Sequence, residues 1–434
     1  MNYLLKQILS GDKYVKAVFV FLLLISLMAT YSAMSRIIVG SGSTSYPFVK
    51  HSMFLLFGII IAETIKLMDF GMIRKLGYLF LIGAFVLMMA VFVKGGGRGG
   101  SMRFSQYGQP FEFVKFGVVL VMADQITRFQ KKEYENKAFW YVVFTVLCLL
   151  ILPVASQNLS SALIIFGVMI LMMWIGNVDA KRIFGFAAIL ITLVIIALQI
   201  PRIVDYEVLA DMPGGSILGR TYTWRSRVDE LEYRKFNIGK ESEQMERVEE
   251  NVQVSASKVA LLNGGWFPHG PGSSKQRNAL PEAHNDYVFA IACEEWGFVM
   301  GVMIVLAYLI VVWRAVRYQL KAEKYYRGIL VFGCSMLILI QAVVHIAVSV
   351  GVIPVTGQPL PMVSQGGSSI LVMSACFGII LKATAGDEAS SLFNLGAGEE
   401  EVKNEKEEIV VNEETSEPDI DENIEEVVTD SDNN

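Results

Sequence analysis

Charged residues are scarce in this sequence, and cysteine and histidine are rarer still. Only 18% of the 434 residues are charged and 53% are hydrophobic, whereas a soluble globular chain carries about 25% charged residues. The shortage excludes an ordinary soluble domain. The four cysteines all fall inside apolar runs and form no CxxC pair, so we predict neither a disulfide framework nor a zinc site and expect small packing residues instead.

What the sequence has instead is a series of apolar runs near the roughly 20 residues needed to cross a bilayer. The first run begins late and lacks a small-residue cleavage site, so we expect a span and not a cleavable signal peptide. The fold predicted is an all-α polytopic membrane protein of about ten transmembrane helices, with a long extracytoplasmic loop, 202–286, between helices 7 and 8. The predicted spans are 16–35, 52–69, 77–94, 111–127, 139–156, 159–176, 183–201, 287–313, 328–350 and 367–384.

Lysine and arginine placement predicts the orientation of these spans. With the N-terminus inside, the cytoplasmic segments hold 17 of these residues and the short outer loops hold 5. Cytoplasmic loops of membrane proteins carry such an excess. We therefore expect a multi-pass protein of the cytoplasmic membrane with both termini in the cytoplasm.

The last segment, 387–434, is strongly acidic. It holds 18 acidic residues against Lys403 and Lys406, a net charge of −16, which leaves +11 on the rest of the chain. Low hydrophobicity with high like charge predicts disorder. We therefore divide the chain into a transmembrane domain, 1–386, and an acidic cytoplasmic tail, which either binds partners or is simply solvated.

Ionisable residues gather near the predicted outer end of the fourth span. The preceding stretch, GGGRGGSMRFSQYGQP (95–110), combines glycines with Arg98 and Arg103, whose guanidinium groups suit phosphate. A flexible linker is the alternative. Glu112 and Lys115 follow three residues apart, hence on one helical face, and fit either a structural ion pair or a contact to a ligand.

Two further outer loops are polar where lipid would favour apolar residues. One is SQNLSSAL (156–163), and the other is GVIPVTGQPLPMVSQGGSSI (351–370), which contains the candidate binding residues Ser364, Gln365 and Ser368. Three prolines at membrane depth predict broken backbone, which is tolerated only when it is buried in protein or lines a wet cavity. We expect these loops to converge with 95–110 on one polar pocket.

The fourth contributor is LPEAHNDYVFAIACEEWG (280–297), in which Asp286 precedes an apolar helix. An N-cap or first-turn acid is the simple interpretation. The neighbouring Glu282 and His284, with Lys275 upstream, favour a general base instead, because nearby charges and partial burial shift a carboxylate pKa. The sequence shows no carboxylate cluster with metal spacing, so we predict no certain cofactor and leave a divalent cation open.

These motifs together resemble the SEDS family, which contains FtsW and RodA. Residues 280–297 resemble its signature LPE-x-H-T-D-F-x-F-x-x-x-x-E-E-x-G, and QPFEFVK (109–115) resembles Q-P-S-E-x-x-K. Residues 351–369 resemble G-x-x-P-x-T-G-x-P-L-P-x-x-S-x-G-G-S-S. The resemblance covers all ten predicted spans and leaves out only the acidic tail.

Some positions depart from the family's pattern. The acidic residues and Lys115 are intact, so we expect an active enzyme. The change at Phe104 keeps an aromatic face but loses an indole donor. The departures are Phe104 for Trp, Phe111 for Ser, Gln157 for Pro, Asn285 for Thr, Tyr287 for Phe and Gln365 for Tyr.

The resemblance implies a peptidoglycan glycosyltransferase that polymerises lipid II at the outer face of the cytoplasmic membrane. Asp286 would take the proton of the acceptor hydroxyl, and Arg103, Lys115 and Lys275 would stabilise the departing undecaprenyl pyrophosphate. The implied partners are lipid II, the growing glycan strand, a class B penicillin-binding protein that acts as transpeptidase, other division proteins and membrane lipid, with no nucleic acid.

Three alternatives stay open at this point. A lipid II transporter would place its ionisable residues near the midplane and often shows repeats, which this sequence does not. A non-catalytic division scaffold would not need Asp286. Within the family, the LPEAH motif and the GPGSSKQR loop favour the division type over a RodA-type elongation polymerase.

Overall fold

The structure is a computed structural model. It describes residues 11–41, 46–94, 110–131, 136–146, 151–203, 221–222, 224–226, 229, 248–278, 280, 285–322 and 324–385. Within these ranges the chain is helical or loop, without a strand. The predicted acidic tail, 387–434, lies outside them.

The principal helices follow the predicted spans. Their bounds are α1 Lys13–Ser41, α2 Tyr46–Leu67, α3 Phe70–Lys94, α4 Pro110–Gln130, α5 Asn136–Val146, α6 Leu152–Gln157, α7 Leu159–Ile175, α8 Ala180–Ile203, α9 Val248–Asn263, α10 Val288–Lys321, α11 Tyr325–Val350 and α12 Gly367–Ala385.

Seven helices of the described part are long and apolar enough to cross a membrane, namely α1, α2, α3, α8, α10, α11 and α12. The other predicted spans are also helical but differ in character. The fifth is described as α5 and the six-residue α6, with residues 147–150 outside the described part. The sixth, α7, has 17 residues. The fourth, α4, carries buried ionisable side chains along its length, among them Glu112, Lys115 and Asp124.

Helix α4 lies in the core. Every residue from 114 to 127 is buried, and α4 packs against α3, α7 and α11. The approach to α3 is close because both helices present a glycine: a Cβ at Gly77 would lie 2.8 Å from Cβ of Leu120. A charged side chain on α4 is therefore removed from lipid and must find its partner inside the protein.

The eighth predicted span is interrupted, which periodicity did not indicate. Gly297 has φ 79° and ψ 169° inside α10, and a Cβ there would lie 2.6 Å from the carbonyl oxygen of Trp266. The Glu295 carbonyl accepts backbone hydrogen bonds from His269 (2.8 Å) and Gly270 (3.0 Å) instead. The loop after α9 thus packs into the break, where only glycine fits.

The long loop is described in part. The predicted helix within 251–265 is α9, and it ends before Gly264 and Gly265 as expected. Gly264 approaches α10 closely, since a Cβ on it would overlap the Cys293 carbonyl oxygen. Cys293, Cys334 and Cys376 are buried and free, in keeping with a packing role.

Candidate active site

Lys115 lies at the centre of a buried polar cluster at the N-terminal end of α4. Its Nζ lies 2.6 Å from Oε1 of Glu112, 2.7 Å from Oε1 of Gln341 and 3.0 Å from Oε1 of Gln358. An ammonium group has three donors, so each has an acceptor. In this arrangement Glu112 and Lys115 form a structural ion pair, and Oε2 of Glu112 accepts no hydrogen bond from the described residues.

The two glutamines extend this cluster to neighbouring elements. Nε2 of Gln341 donates to the Pro359 carbonyl (3.0 Å), and Nε2 of Gln358 donates to Oγ of Ser161 on α7 (2.9 Å). Nδ1 of His345 lies 2.9 Å from the Gln358 carbonyl oxygen. The cluster therefore joins α4, α7 and α11 to the segment 351–366.

Segment 351–366 has the broken, buried backbone that its prolines predicted. Residues 358–364 are buried without forming a helix. Side chains from other helices satisfy their carbonyls: Tyr308 donates to Pro361 (2.6 Å) and Ser26 to Val363 (3.1 Å). Ser364 stabilises the turn at 360–364, because its hydroxyl accepts a hydrogen bond from the Leu360 amide (2.7 Å).

Asp286 lies against this segment. The hydroxyl of Ser364 donates to the carbonyl of Asn285 (2.8 Å), and a Cβ added at Gly357 would lie 3.9 Å from Oδ2 of Asp286. Gly357 has φ 65°, a conformation that favours glycine. Gln358 follows Gly357 directly and bonds to Lys115, so Asp286 lies near a segment that the buried cluster holds.

Asp286 does not act as a helix cap in this structure. The N-cap of α10 is Tyr287, and the first turn holds no acidic residue. The Asp286 side chain is half-buried, whereas Tyr287 is fully buried. Asp286 is therefore neither the N-cap nor a first-turn acid of α10, and it lies immediately before the helix.

Glu294 and Glu295 hold the preceding loop onto α10. Glu294 accepts from the hydroxyl of Ser274 and from the backbone amides of Lys275 (3.2 Å) and Gln276 (3.4 Å). Glu295 accepts from the Ser32 hydroxyl on α1 and the Ser274 amide (3.4 Å). The two acids thus have different tasks: one orders the loop and the other joins that loop to α1.

Arg277 completes this junction. Its Nη1 donates to the Ser32 carbonyl (3.0 Å) and lies 4.0 Å from Oε1 of Glu295. The side chain of Lys275, in contrast, is exposed. Two of the cations predicted to bind a pyrophosphate are described: Lys115 is buried, and Lys275 is exposed to solvent.

The remaining predicted site residues divide into two groups. Gln365 is half-buried and its Oε1 has no hydrogen-bond partner among the described residues, and Ser368 is buried in the first turn of α12. Arg98, Arg103, Glu282 and His284 lie outside the described residues. Within the described ranges, no group of three or more His, Cys, Asp or Glu residues could hold a metal ion.

Sequence reasoning missed Gln341, Gln358 and Ser161. Gln341 is a neutral amide within an apolar run, which gives little signal. Ser161 and Gln358 lie in the two polar loops that the sequence indicated, but nothing local selected them as contacts of this cluster. Asp124 was missed as well, although Arg128 four residues later predicted a helical pair.

This fold and this arrangement of motifs define a family. The model of the cell cycle proteins FtsW, RodA and SpoVE matches residues 12–388, and the chain belongs to this family. The probable peptidoglycan glycosyltransferase FtsW of Pseudomonas fluorescens (strain SBW25) is 29% identical over 396 residues, which cover 88% of each chain. Stage V sporulation protein E of Bacillus subtilis (strain 168) is 27% identical over 390 residues, covering 86% of this chain and 97% of that protein.

Solved structures share the fold. A chain of a peptidoglycan synthase complex that coordinates polymerization and crosslinking superposes with a TM-score of 0.62 at 19% identity, covering 87% of this chain and 98% of that one. The rod shape determining protein RodA of Thermus thermophilus gives 0.56 at 18% identity, covering 87% and 97%. The predicted all-α polytopic membrane fold and the resemblance to FtsW and RodA are both confirmed.

Proposed function

We propose that this protein is a peptidoglycan glycosyltransferase that polymerises lipid II during cell division. Family membership supports the reaction class, and relatives described as FtsW support the division type over elongation. In this proposal the protein lies in the cytoplasmic membrane with both termini inside, and the site faces outward. Its partner is a class B penicillin-binding protein, which the likeness to a chain of a peptidoglycan synthase complex supports.

The observation that carries the proposal is the place of Asp286. Its half-buried carboxylate lies just before α10 and beside Gly357. The next residue, Gln358, belongs to the buried cluster around Lys115. A general base needs such a position, since partial burial favours proton uptake while an open side admits the substrate.

The proposed reaction is a glycosyl transfer with Asp286 as the general base. Asp286 removes the proton from the 4-hydroxyl of the acceptor sugar as its oxygen bonds to the anomeric carbon of the donor. The bond from that carbon to the pyrophosphate breaks, and undecaprenyl pyrophosphate leaves with the electron pair. Exposed Lys275, with Arg103, stabilises the developing negative charge on the leaving group.

Lys115 has a different task in this proposal. Its three donors already have acceptors in Glu112, Gln341 and Gln358, so it holds segment 351–366 in place beside Asp286. Direct contact of Lys115 with the pyrophosphate requires that one of these acceptors be released.

The test is glycan-strand formation from labelled lipid II by the full-length protein with its class B partner. We expect Asp286→Asn to lower the rate by at least about 100-fold, the usual contribution of a general base. Asp179→Asn, which alters an exposed carboxylate, is the matched control and keeps the wild-type rate.

Wild-type polymerisation by Asp286→Asn would remove Asp286 from the role of base. If neither protein forms polymer while both translocate lipid II across liposome membranes, the transporter replaces the polymerase.

A further inference from the structure

An apolar groove is lined by residues of α2, α3, α4 and α12. Helix α2 packs on α12, since a Cβ at Gly378 would lie 2.7 Å from the Ala62 carbonyl oxygen, and α3 packs on α4. Between these two pairs is a groove of about 520 Å³ whose walls are apolar, with Ile65, Phe116 and Ala375 among them.

The groove has the dimensions and opening of a lipid-chain site. On α3 its lining extends from Ile73 to Leu87, about 21 Å at 1.5 Å per residue, whereas one leaflet of hydrocarbon is about 15 Å thick. Leu79 lines the groove and is 64% exposed, so the groove opens sideways toward the membrane. One acyl chain fits along it.

Two cations lie at one end of the groove. Phe70, one turn before Ile73, has the Arg327 guanidinium 4.7 Å and the Lys382 ammonium 5.3 Å from its ring centre. Lys382 is one turn beyond Ile379, which lines the groove. Both cations therefore face the same end of the same apolar channel.

Among the described residues, one carboxylate interacts with these two cations. Nε of Arg327 is buried without a hydrogen-bond partner in the described part of the chain, and Lys382 donates to the neutral Lys66 carbonyl (3.0 Å). Asp69 is the carboxylate that interacts with Lys382. These three side chains leave one net positive charge, and a phosphate would satisfy it.

We propose that this groove binds an anionic phospholipid, with its phosphate at Arg327 and Lys382 and one acyl chain along α3. The cations lie at the predicted cytoplasmic end, where anionic lipid is attracted to basic residues. A prenyl pyrophosphate engaged in catalysis would need its headgroup at the other end, beside Asp286. The charge arrangement therefore favours a resident phospholipid over the substrate's carrier.

The experiment places the full-length protein in nanodiscs of phosphatidylcholine with a minority of phosphatidylglycerol, and measures bound lipid by native mass spectrometry. We expect the double variant Arg327→Gln, Lys382→Gln to bind phosphatidylglycerol about 30-fold more weakly, because each cation contributes about 1 kcal/mol. The matched control is Lys321→Gln, Lys324→Gln, which removes two exposed cations at the same end and leaves binding unchanged.

A second variant tests the chain site without altering charge. Gly83 lines the groove and a Cβ there would meet nothing within 4 Å, so Gly83→Phe fills the groove without a backbone clash and should also displace the lipid. Equal phosphatidylglycerol binding by wild type and both variants would overturn the proposal. So would displacement by undecaprenyl phosphate at equal concentration, which would assign the groove to the prenyl carrier.

Discussion

Helix α4 carries two buried polar clusters that balance charge in different ways. Near its N-terminal end, Lys115 is enclosed by Glu112 and two neutral glutamines, and lysine and glutamate side chains are both about 1% exposed or less. Nine residues on, about 14 Å along the helix, Asp124 accepts hydrogen bonds from Arg128 (2.9 Å) and the Tyr78 hydroxyl (2.5 Å). Nε of Arg74 forms an ion pair with Oδ1 of Asp124 at 2.5 Å. Those arginines are about one third exposed.

The difference separates a cluster closed to solvent from one that reaches it. If Asp124 is lost, Arg74 and Arg128 still contact water, and long basic side chains adjust easily at a membrane boundary. If Lys115 is lost, the buried Glu112 carboxylate loses the ammonium group that balances its charge and has no access to water. The first cluster is enclosed by protein, and through Gln358 it reaches the segment that lies beside Asp286.

The largest expected effect comes from Lys115→Met. It leaves the Glu112 carboxylate buried and uncompensated, so we expect the free energy of unfolding to fall by about 3–5 kcal/mol. Chemical unfolding in detergent micelles measures this. The double variant Glu112→Leu, Lys115→Met removes both charges and should recover most of the loss. If the double variant is as unstable as the single one, the ion pair is not what holds this end of α4.

Asp124→Asn is expected to cost less, about 1–2 kcal/mol, because the asparagine still accepts a hydrogen bond and the arginines retain contact with water. The same unfolding measurement applies. Asp179→Asn, in an exposed pair at 3.7 Å, serves as the control and should change stability by less than about 0.5 kcal/mol. A loss at Asp124 as large as that at Lys115 would end the distinction between the two clusters.

Sequence alone predicted the local part of this arrangement. The spacing of Glu112 and Lys115 placed them on one face, and the prolines of 351–370 predicted broken backbone. Both follow from local rules, namely the helical repeat and the cost of unpaired backbone in lipid. The structure agrees on each.

The rest depends on contacts that no local pattern encodes. Gln341 and Gln358 lie 226 and 243 residues from Lys115 in sequence, so no local pattern predicts either contact. The break in α10 at Gly297 was also not predicted, because the apolar periodicity continues through it. Its role is set by Trp266, which packs there from a different element.

A third prediction tests whether the enclosed cluster positions Asp286, the carboxylate that we propose as the general base. Gln358→Met removes the contacts to Lys115 and Ser161 while keeping similar volume. We expect kcat for lipid II polymerisation to fall about 10-fold with little change in KM, since Asp286 is displaced while substrate binding persists.

The control for that test is Thr356→Val, two residues earlier. The Thr356 hydroxyl is buried without a hydrogen-bond partner in the described ranges, so its loss should leave kcat unchanged. An equal effect of both substitutions would mean that segment 351–366 tolerates no change. A rise in KM alone would place Gln358 in binding instead.

The smallest effect is expected at Glu294, whose charge is balanced by backbone amides and a hydroxyl. Glu294→Gln weakens its bonds to the amides of Lys275 and Gln276, each a partner at 3.2–3.4 Å. We expect a loss of about 1 kcal/mol in local stability, seen as roughly 5-fold faster hydrogen exchange in 274–277.

The control is Glu63→Gln, which removes a partly exposed helical partner of Lys66 and should leave that exchange unchanged. Unaltered exchange in the Glu294 variant would show that the loop is held by its packing into the break at Gly297.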